Sequence, residues 1–315
     1  MNILLTGGAG FIGSNLAKAL LTHEKVSRLR VLDNLSTGFR QNIVDLLSHP
    51  KFEFIEGDIT DFSTCESAMK DMQLVSHQAA LGSVPRSIAD PLGTNNANIT
   101  GTLNMYTAAK NSGVKRVVYA ASSSTYGDSE ALPKVEDIIG RPLSPYAVTK
   151  YVMELYADVF ARTYDMEFIG LRYFNVFGPH QSPTGAYAAV IPLFMEAVIK
   201  NEAPVINGDG SYSRDFTFVD NVVQANMKAL FTENPQAMNQ VYNIAFGEST
   251  TLLELYHTIR DIAGSSLEPT FGDFRKGDIP HSLANIDKAR KLLDYNPAIS
   301  VKEGLRLAFD WYKNN

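Results

Sequence analysis

The fold is decided by the N-terminal stretch MNILLTGGAGFIG, residues Met1–Gly13. Its apolar start predicts a strand, and the amphipathic segment Phe11–Leu21 predicts a helix directly after it. Three glycines follow the strand: Gly7, Gly10 and Gly13. They permit a tight turn, the close approach of a pyrophosphate and close helix–strand packing. The amides and the dipole at the start of the helix favour phosphate groups. The stretch therefore predicts a dinucleotide-binding turn.

Asp33 ends the second predicted strand, twenty residues after Gly13. A carboxylate at that place can accept hydrogen bonds from both ribose hydroxyls of an adenosine and repels a 2′-phosphate. The cofactor is therefore predicted to be NAD. NADP stays an alternative because three arginines lie nearby in the sequence: Arg28, Arg30 and Arg40. The polar loop Asn34, Ser36, Thr37 and Gly38 suits the ribose, or forms an ordinary surface turn.

Outward from this turn, residues 1–125 alternate between β-branched runs and segments of helical length. The predicted strands are Ile3–Leu5, Arg30–Leu32, Phe52–Ile55, Leu74–Ser76 and Arg116–Ala120, and further helices are predicted at Phe62–Met69 and Leu92–Asn111. This alternation implies crossover units, and hence an α/β fold with a doubly wound, mostly parallel sheet of the Rossmann type.

Prolines interrupt the alternation from about residue 175 onward. Helical patterns return at Val222–Phe231, Leu252–Ala263 and Val301–Tyr312. They predict a smaller α/β lobe laid over the open edge of the sheet. We therefore expect a dinucleotide-binding domain at residues 1–175 and a substrate lobe at residues 176–315, with the chain crossing between them.

Composition narrows the class of protein. The 315 residues are 45% hydrophobic and 20% charged, which predicts a globular protein with a large core. The net charge of −6 argues against nucleic acid as a partner. Cys65, the single cysteine, excludes an internal disulfide and fits a reducing compartment. We see neither a secretory leader nor a membrane-spanning segment, and the histidines lack metal-ligand spacing, so we expect a cytoplasmic protein without membrane or metal partners.

A long helix is predicted to begin at the cap Ser144 with Pro145 as its first residue. It carries two apolar stripes, one of Val148, Val152, Leu155 and Val159 and another of Met153, Tyr156 and Phe160. Two apolar faces exceed what one sheet can cover. We expect this helix, residues 144–162, to pack with the helix at residues 92–111 against a second copy of the chain. The alternative is that the C-terminal lobe covers the second face.

Tyr146 and Lys150 lie four residues apart on this helix and share one face. A cation beside a phenol lowers the phenol pKa, which makes Tyr146 a candidate base near neutral pH. Lys150 can also reach the ribose of the nicotinamide. The hydroxyl-rich run Ser122–Gly127 follows the fifth strand, at the sheet edge where such folds bind ligands. Its hydroxyls can bind a substrate oxygen, or the loop caps itself.

These residues resemble the extended short-chain dehydrogenases/reductases that act on nucleotide sugars, over essentially the whole chain. The motifs, in order, are Gly7-x-x-Gly10-x-x-Gly13, Asp58-Ile59, His77-Gln78-Ala79-Ala80, the serine run, Tyr146-x-x-x-Lys150, Arg172-Tyr173-Phe174-Asn175, Ser213-Arg214-Asp215-Phe216 and Arg275-x-Gly277-Asp278. Residues 185–192 and 277–282 are most similar to the bacterial UDP-N-acetylglucosamine 4-epimerases.

The resemblance implies a role for each matching position. The catalytic residues would be Ser122, Tyr146 and Lys150. NAD would be held by Gly7, Gly10, Phe11, Ile12, Gly13, Asp33, Asn34, Ser36, Thr37, Gly38, Asp58, Ile59, Gln78, Ala79, Ala80, Ala97, Tyr146, Lys150 and Val176. The UDP-sugar would contact Gly82, Ser83, Ser122, Ser123, Ser124, Tyr146, Asn175, Ala189, Val190, Asn207, Arg214, Arg275, Asp278 and Ser282.

The implied reaction is epimerisation of a UDP-hexose at C4, foremost between UDP-GlcNAc and UDP-GalNAc. Tyr146 would take the proton of the 4-hydroxyl while C4 is oxidised by NAD, and the keto sugar would turn and be reduced on its other face. Arg214 and Arg275 suit a diphosphate because guanidinium forks pair with phosphate oxygens, although Arg275 could instead form a surface ion pair. Ser282 would leave room for an N-acetyl group, or it caps the helix that begins near Asp287.

Three other functions stay open. A UDP-glucuronate 4-epimerase uses the same oxidation and return. A nucleotide-sugar dehydratase or decarboxylase shares the scaffold, but relatives with dehydratase activity place an Asp-Glu pair where Ser123-Ser124 stand here. A non-catalytic dinucleotide sensor has no need for Ser122, Tyr146 and Lys150 together.

Overall fold

The computed structural model describes residues 1–183, 188–274 and 279–314. Its strands are β1 (Asn2–Thr6), β2 (Arg28–Asp33), β3 (Phe52–Glu56), β4 (Leu74–His77), β5 (Arg116–Ser122), β6 (Glu167–Tyr173), β7 (Val176–Phe177), β8 (Val205–Asn207), β9 (Ser213–Arg214), β10 (Thr217–Phe218), β11 (Gln240–Ile244), β12 (Thr250–Thr251) and β13 (Thr270–Gly272). Seven of these strands form one sheet in the order β11-β6-β5-β4-β1-β2-β3, and every neighbouring pair is parallel. The predicted parallel α/β sheet is therefore confirmed.

The helices alternate with the strands as predicted. They are α1 (Phe11–Thr22), α2 (Phe62–Met69), α3 (Val84–Ala89), α4 (Pro91–Asn95), α5 (Gly101–Asn111), α6 (Pro145–Tyr164), α7 (Val190–Ile199), α8 (Val219–Phe231), α9 (Leu252–Ala263), α10 (Asp287–Leu293) and α11 (Val301–Asn314). A π-helical turn over Asn96–Thr100 joins α4 to α5, so the stretch predicted as one helix is helical throughout. Ser144 caps α6 by accepting a hydrogen bond from the Ala147 backbone N–H.

Helices cover both faces of the sheet. On one face, Leu16 and Leu20 of α1 share a core with Val222 and Ala225 of α8. On the other face, side chains of α2, α5 and α6 fill a second core. Burial on both faces explains why the central strands are continuously apolar instead of alternating.

The C-terminal part of the chain contributes to two regions. Strand β11 adds the outer strand of the large sheet beside β6, and α8 packs on that sheet. Helices α7, α9 and α11 instead build a third core around Phe194, Tyr256 and Leu305. The chain thus leaves the sheet after β6, returns to it and leaves again, and the division at residue 175 stays a prediction.

Three of the four residues in one apolar stripe of α6 are exposed, and the fourth, Val152, is half-buried. Val148, Leu155 and Val159 are 45%, 48% and 46% exposed. Leu92, in the other helical stretch predicted to form the interface, is 82% exposed. Met153 and Phe160, from the second stripe, are buried against the sheet. No described part of the C-terminal lobe covers the exposed stripe, so that alternative is wrong for the single chain. None of the described helices has the length and apolar character needed to cross a lipid bilayer.

Candidate active site

A cleft of about 620 Å³ lies at the carboxyl ends of the sheet strands. It spans the point between β1 and β4 where the strand order reverses, which is the usual ligand site of such sheets. Its wall contains every residue predicted to hold NAD: Gly7, Gly10, Phe11, Ile12, Gly13, Asp33, Asn34, Ser36, Thr37, Gly38, Asp58, Ile59, Gln78, Ala79, Ala80, Ala97, Tyr146, Lys150 and Val176. The structure thus brings the predicted set together, and each residue's role stays a prediction.

The turn after β1 is packed so tightly that side chains are excluded. Gly7 has a φ of +70°, and a Cβ on it would lie 2.7 Å from the backbone nitrogen of Ala79. A Cβ on Gly13 would lie 2.0 Å from the Gly7 carbonyl oxygen. Gly10 precedes the first turn of α1 and offers no side chain to cap its amides. The first amides of α1 are therefore left to bind an anion, which fits the pyrophosphate of a dinucleotide.

Asp33 is buried at the adenosine end of the cleft. Its carboxylate oxygens accept hydrogen bonds from the backbone N–H groups of Ala9 (2.9 Å) and Leu35 (2.8 Å), which fix its orientation. Burial raises the pKa of Asp33, and these two hydrogen bonds oppose that rise. Asn34 donates to Asp58 over 2.7 Å and closes the same end.

Of the three arginines that kept NADP open as an alternative, two are bound to other protein groups and one lies far from Asp33. Arg30 is buried and donates to Glu53 and to the Ala68 and Lys70 carbonyls. Arg40 pairs with Glu56 at 3.4 Å. Arg28 is the first residue of β2, at the opposite end of that strand from Asp33. The geometry therefore favours NAD over NADP.

The start of α6 places Tyr146 and Lys150 in the same cleft. Lys150 is 3% exposed, and its ammonium donates to the Ala120 carbonyl over 2.7 Å. The ammonium nitrogen lies 5.9 Å from the centroid of the Tyr146 ring. Burial lowers the pKa of Lys150 to about 8.

The Tyr146 phenol differs from the sequence expectation. Burial raises the pKa of Tyr146, and a hydrogen bond with Ser122 opposes the rise. The expected net lowering of the Tyr146 pKa is wrong for the chain alone, because burial outweighs the groups that favour the phenolate. A further positive charge in the cleft is needed to favour the phenolate.

Ser122 ends β5 and caps the short helical turn Ser123–Tyr126. Its hydroxyl accepts hydrogen bonds from the backbone N–H of Ser124 (3.2 Å) and from the Ser124 hydroxyl (2.9 Å). The same hydroxyl lies near enough to the Tyr146 phenol to oppose the rise of its pKa. Ser122 therefore connects the serine turn to the candidate base.

A second cavity of about 620 Å³ continues the cleft into the C-terminal lobe. Both cavities share Asn175, Val176, Gln181, Ala188 and Ala189 at their junction. Of the residues predicted to bind the nucleotide sugar, the second cavity also contains Val190, Asn207 and Arg214, whereas Gly82 and Ser83 line the first. Together the two cavities can hold a dinucleotide beside a second nucleotide.

Arg214 belongs to the wall of the second cavity. One nitrogen of its guanidinium, Nη1, donates to the Ser213 carbonyl (2.9 Å) and to the Pro280 carbonyl (3.1 Å). The fork is thus held against the backbone of two separate segments. This gives Arg214 a fixed orientation in a cavity predicted to bind a diphosphate.

Several predicted substrate residues are not part of these walls. Ser123 and Ser124 lie on the turn after Ser122, and the Ser124 hydroxyl bonds to Ser122 instead of lining the cleft. Ser282 adjoins Arg214 through its backbone N–H, which donates to the Ser213 carbonyl over 3.1 Å, and its side chain is in neither wall. Arg275 and Asp278 lie outside the described residues, as do parts of the two segments that carry the closer resemblance.

The structure adds residues that sequence reasoning missed. Gln181 and Ser182 line the cleft, and the Gln181 side-chain oxygen is buried without a partner among the described residues. Such an acceptor is costly unless a ligand donor reaches it. Asn98, on the π-helical turn, bonds to both backbone groups of Leu81 and to Thr149. Sequence reasoning has little ground to single out these residues, because polar residues after a Gly-Pro pair or within a helix are common.

Comparison with known proteins agrees with this geometry. Residues 3–245 match the NAD dependent epimerase/dehydratase family. The chain is 36% identical to a UDP-glucose 4-epimerase of Mycolicibacterium smegmatis over 318 residues, covering 100% of this chain and 99% of that protein.

Two solved structures are also similar. A UDP-N-acetylglucosamine 4-epimerase from Methanobrevibacter ruminantium, in complex with UDP-N-acetylmuramic acid, has a TM-score of 0.93 and 39% identity, with 99% of this chain and 97% of that chain covered. A UDP-glucuronic acid 4-epimerase from Bacillus cereus, with UDP-glucuronic acid and NAD, has a TM-score of 0.92 and 30% identity, with 100% and 99% covered. Fold, cleft and sequence agree, and the chain belongs to the NAD dependent epimerase/dehydratase family.

Proposed function

We propose that this protein is an NAD-dependent 4-epimerase of UDP-hexoses. The observation that carries the proposal is that Ser122, Tyr146 and Lys150 line one cleft, which opens into a second cavity. The first cavity suits NAD, and the second suits a nucleotide sugar whose ring reaches the phenol. Similarity to three 4-epimerases supports the same reading.

The residues of the chain supply proton transfer and orientation. Bound NAD would supply a reversible hydride acceptor and a positively charged ring that favours the phenolate of Tyr146. The phenolate accepts the proton of the sugar 4-hydroxyl, and Ser122 hydrogen-bonds the same oxygen. Lys150 balances the phenolate charge. The phosphate turn at Gly7 and the carboxylate of Asp33 hold the dinucleotide.

We infer UDP-GlcNAc and UDP-GalNAc as the foremost substrates. Small residues line the junction where the sugar must turn, and a Cβ on Gly82 would meet nothing within 4 Å. The 39% identity to a UDP-N-acetylglucosamine 4-epimerase supports the acetylated sugar. A dehydratase is disfavoured because Ser123 and Ser124 stand where that chemistry needs an acid and a base.

We also infer a homodimer that uses α6 and the helical stretch at residues 92–111. The exposed apolar residues on α6, together with Leu92 on the neighbouring α4, are candidates for this contact. A cytoplasmic location is consistent with Cys65, which is a buried free thiol. Residues 1–175 would serve NAD, and residues 176–315 chiefly the nucleotide sugar.

The test is incubation with UDP-GlcNAc, UDP-Glc and UDP-GlcA in separate tubes, followed by NMR detection of each C4 epimer. We expect interconversion of UDP-GlcNAc and UDP-GalNAc. A substrate deuterated at C4 should keep its deuterium in ordinary water, since the hydrogen returns to the same carbon. Loss of that deuterium to solvent, or absence of any C4 epimer, overturns the proposal. Turnover of UDP-GlcA alone would assign the protein to the uronate epimerases.

A further inference from the structure

Glu154 extends the line of side chains that begins at the candidate base. Tyr146, Lys150 and Glu154 follow one another at four-residue intervals on α6, so they share one face of the helix. Lys150 and Glu154 are 3% and 7% exposed. Glu154 is not in the wall of the cleft. Glu154 can therefore influence the site only indirectly, and Lys150 is the site residue one helical turn away.

The Glu154 carboxylate is held rigidly by Arg172 of β6. Arg172 Nε and Nη2 donate to its two oxygens over 2.9 Å and 2.7 Å. A third guanidinium nitrogen, Nη1, donates to the Glu136 carbonyl over 2.8 Å, and the guanidinium stacks 4.8 Å from the Tyr126 ring centroid. This two-pronged pairing fixes the Glu154 carboxylate in place.

Lys150 needs a counter-charge in its buried position. The Lys150 ammonium donates a hydrogen bond to the Ala120 carbonyl, which carries no formal charge. Burial lowers the pKa of Lys150 to about 8, and the charge of Glu154 opposes that fall. Removal of the Glu154 charge should therefore lower the Lys150 pKa further.

The histidine and tyrosine side chains around this pair are neutral. His77 on β4 has its pKa lowered to about 3 by burial and by Lys150. Tyr119 on β5 and Tyr106 on α5, which face Glu154, have pKa values raised well above the ordinary value by burial. Arg172 is the cation on Glu154. Glu154 is the carboxylate whose charge raises the pKa of Lys150.

We propose that Glu154 is a positioning residue for the proton transfer: clamped by Arg172, it is the buried counter-charge that keeps the Lys150 ammonium charged beside Tyr146. The inference rests on the proposed epimerase function, in which a charged Lys150 stabilises the Tyr146 phenolate. It explains why a buried ion pair lies one helical turn beyond the lysine, outside the cleft.

The decisive measurement is the titration of Lys150 by heteronuclear NMR in lysine-labelled protein, with the resonance assigned by its loss in Lys150→Arg. In Glu154→Gln, the Lys150 midpoint should fall by about one to two pH units, as expected for the loss of a buried unit charge one helical turn away. The alkaline limb of the kcat–pH profile should move down by a similar amount.

Two further variants separate charge from packing. Glu154→Gln leaves Arg172 buried and unpaired, which can prevent folding. The double variant Glu154→Gln/Arg172→Gln removes both charges and should fold, again with a lowered Lys150 midpoint. Glu167→Gln is the matched control, because it removes the partner of the buried Arg116 at the other end of β5 and β6. It should lower stability and leave the Lys150 titration unchanged.

A Lys150 midpoint that stays at the wild-type value in the folded Glu154 variants would overturn the inference. Equal shifts in Glu167→Gln would also overturn it, since they would reflect loosened packing. If the wild-type protein interconverts no UDP-hexose, the proposed function fails, independently of this titration.

Discussion

The Ser124 hydroxyl donates to the Ser122 hydroxyl over 2.9 Å, and the Ser124 backbone N–H donates to the same oxygen over 3.2 Å. A hydroxyl oxygen has two acceptor positions and one proton to donate. Ser124 fills both acceptor positions, so the Ser122 proton is left for Tyr146 or for a substrate oxygen. The serine turn thus sets the direction of hydrogen bonding at the candidate base, and it favours a phenolate over a phenol.

Ser124→Ala should weaken this arrangement. The change frees one acceptor position on Ser122, which then can accept from a protonated Tyr146 and stabilise the phenol. We expect kcat to fall by about three- to tenfold, the value of one hydrogen bond, and the acid limb of the kcat–pH profile to move to higher pH. Ser124→Thr keeps the hydroxyl and should restore both. Unchanged limbs in Ser124→Ala would contradict the proposed direction.

Tyr146→Phe should remove the base without disturbing the cleft. Turnover is expected to fall by about 10²–10⁴-fold, the usual contribution of a general base, while NAD still binds. Turnover is measured by NMR of the C4 epimer, and NAD content by absorbance after denaturation. Tyr151→Phe, on the same helix and outside the cleft wall, serves as the control and should behave like the wild type. Normal turnover in Tyr146→Phe would remove the base assignment.

Gly13→Ala should damage the phosphate turn. The added Cβ would lie 2.0 Å from the Gly7 carbonyl oxygen, so the backbone must shift. Overpacking of this kind costs about 1–3 kcal/mol, and NAD binding should weaken by about tenfold or more. Gly82→Ala, where the added Cβ meets nothing within 4 Å, should keep the melting temperature and NAD affinity and raise KM for the UDP-sugar. Calorimetry measures both variants, and equal NAD affinities would argue against the tight turn as the phosphate site.

Ser282→Tyr tests the proposed pocket for the N-acetyl group. The larger side chain should impair UDP-GlcNAc by about tenfold or more relative to UDP-Glc, the size expected when a pocket rejects a substituent. The measurement is kcat/KM for both sugars. An equal loss on both would show that Ser282 does not discriminate between them, in keeping with its absence from the described cavity walls.

Leu155→Asp should disrupt the proposed dimer. Leu155 is 48% exposed on the apolar stripe of α6, and a carboxylate there cannot be buried against a second copy without cost. Light scattering after gel filtration should show a monomer. Ile138→Asp is the matched control, because Ile138 is 56% exposed on a loop outside the proposed interface. A wild-type protein that is itself monomeric would refute the interface.

Much of the fold is readable from the sequence because its signals are local. The strand–glycine–helix start, the Ser144-Pro145 cap and the apolar periodicities predict their elements within a few residues. The cofactor cleft could be predicted as well, since many of its residues lie in turns that follow strands at one sheet edge. The Ser124 contact could not, because a turn of three serines has several hydrogen-bonding arrangements of similar energy.

Hydrogen bonds and ion pairs between residues far apart in the sequence could not be predicted either. Glu154 and Arg172 read as an ordinary helix charge and a motif residue, and their pairing depends on how α6 crosses β6. Ser14 of α1 likewise forms a 2.7 Å hydrogen bond with His180, 166 residues further along the chain. Neither residue type nor spacing specifies such partners, because many charged and polar residues compete for them.

The return of α8 and β11 to the sheet has a consequence for synthesis of the protein. A nascent chain that ends at residue 175 exposes the α1 side of the sheet, since Val222 and Ala225 of α8 complete that core. The edge of β6 also stays unpaired until β11 leaves the ribosome. Cotranslational folding therefore cannot finish the NAD half first, and a truncated gene product should be degraded instead of accumulating as a free cofactor-binding domain.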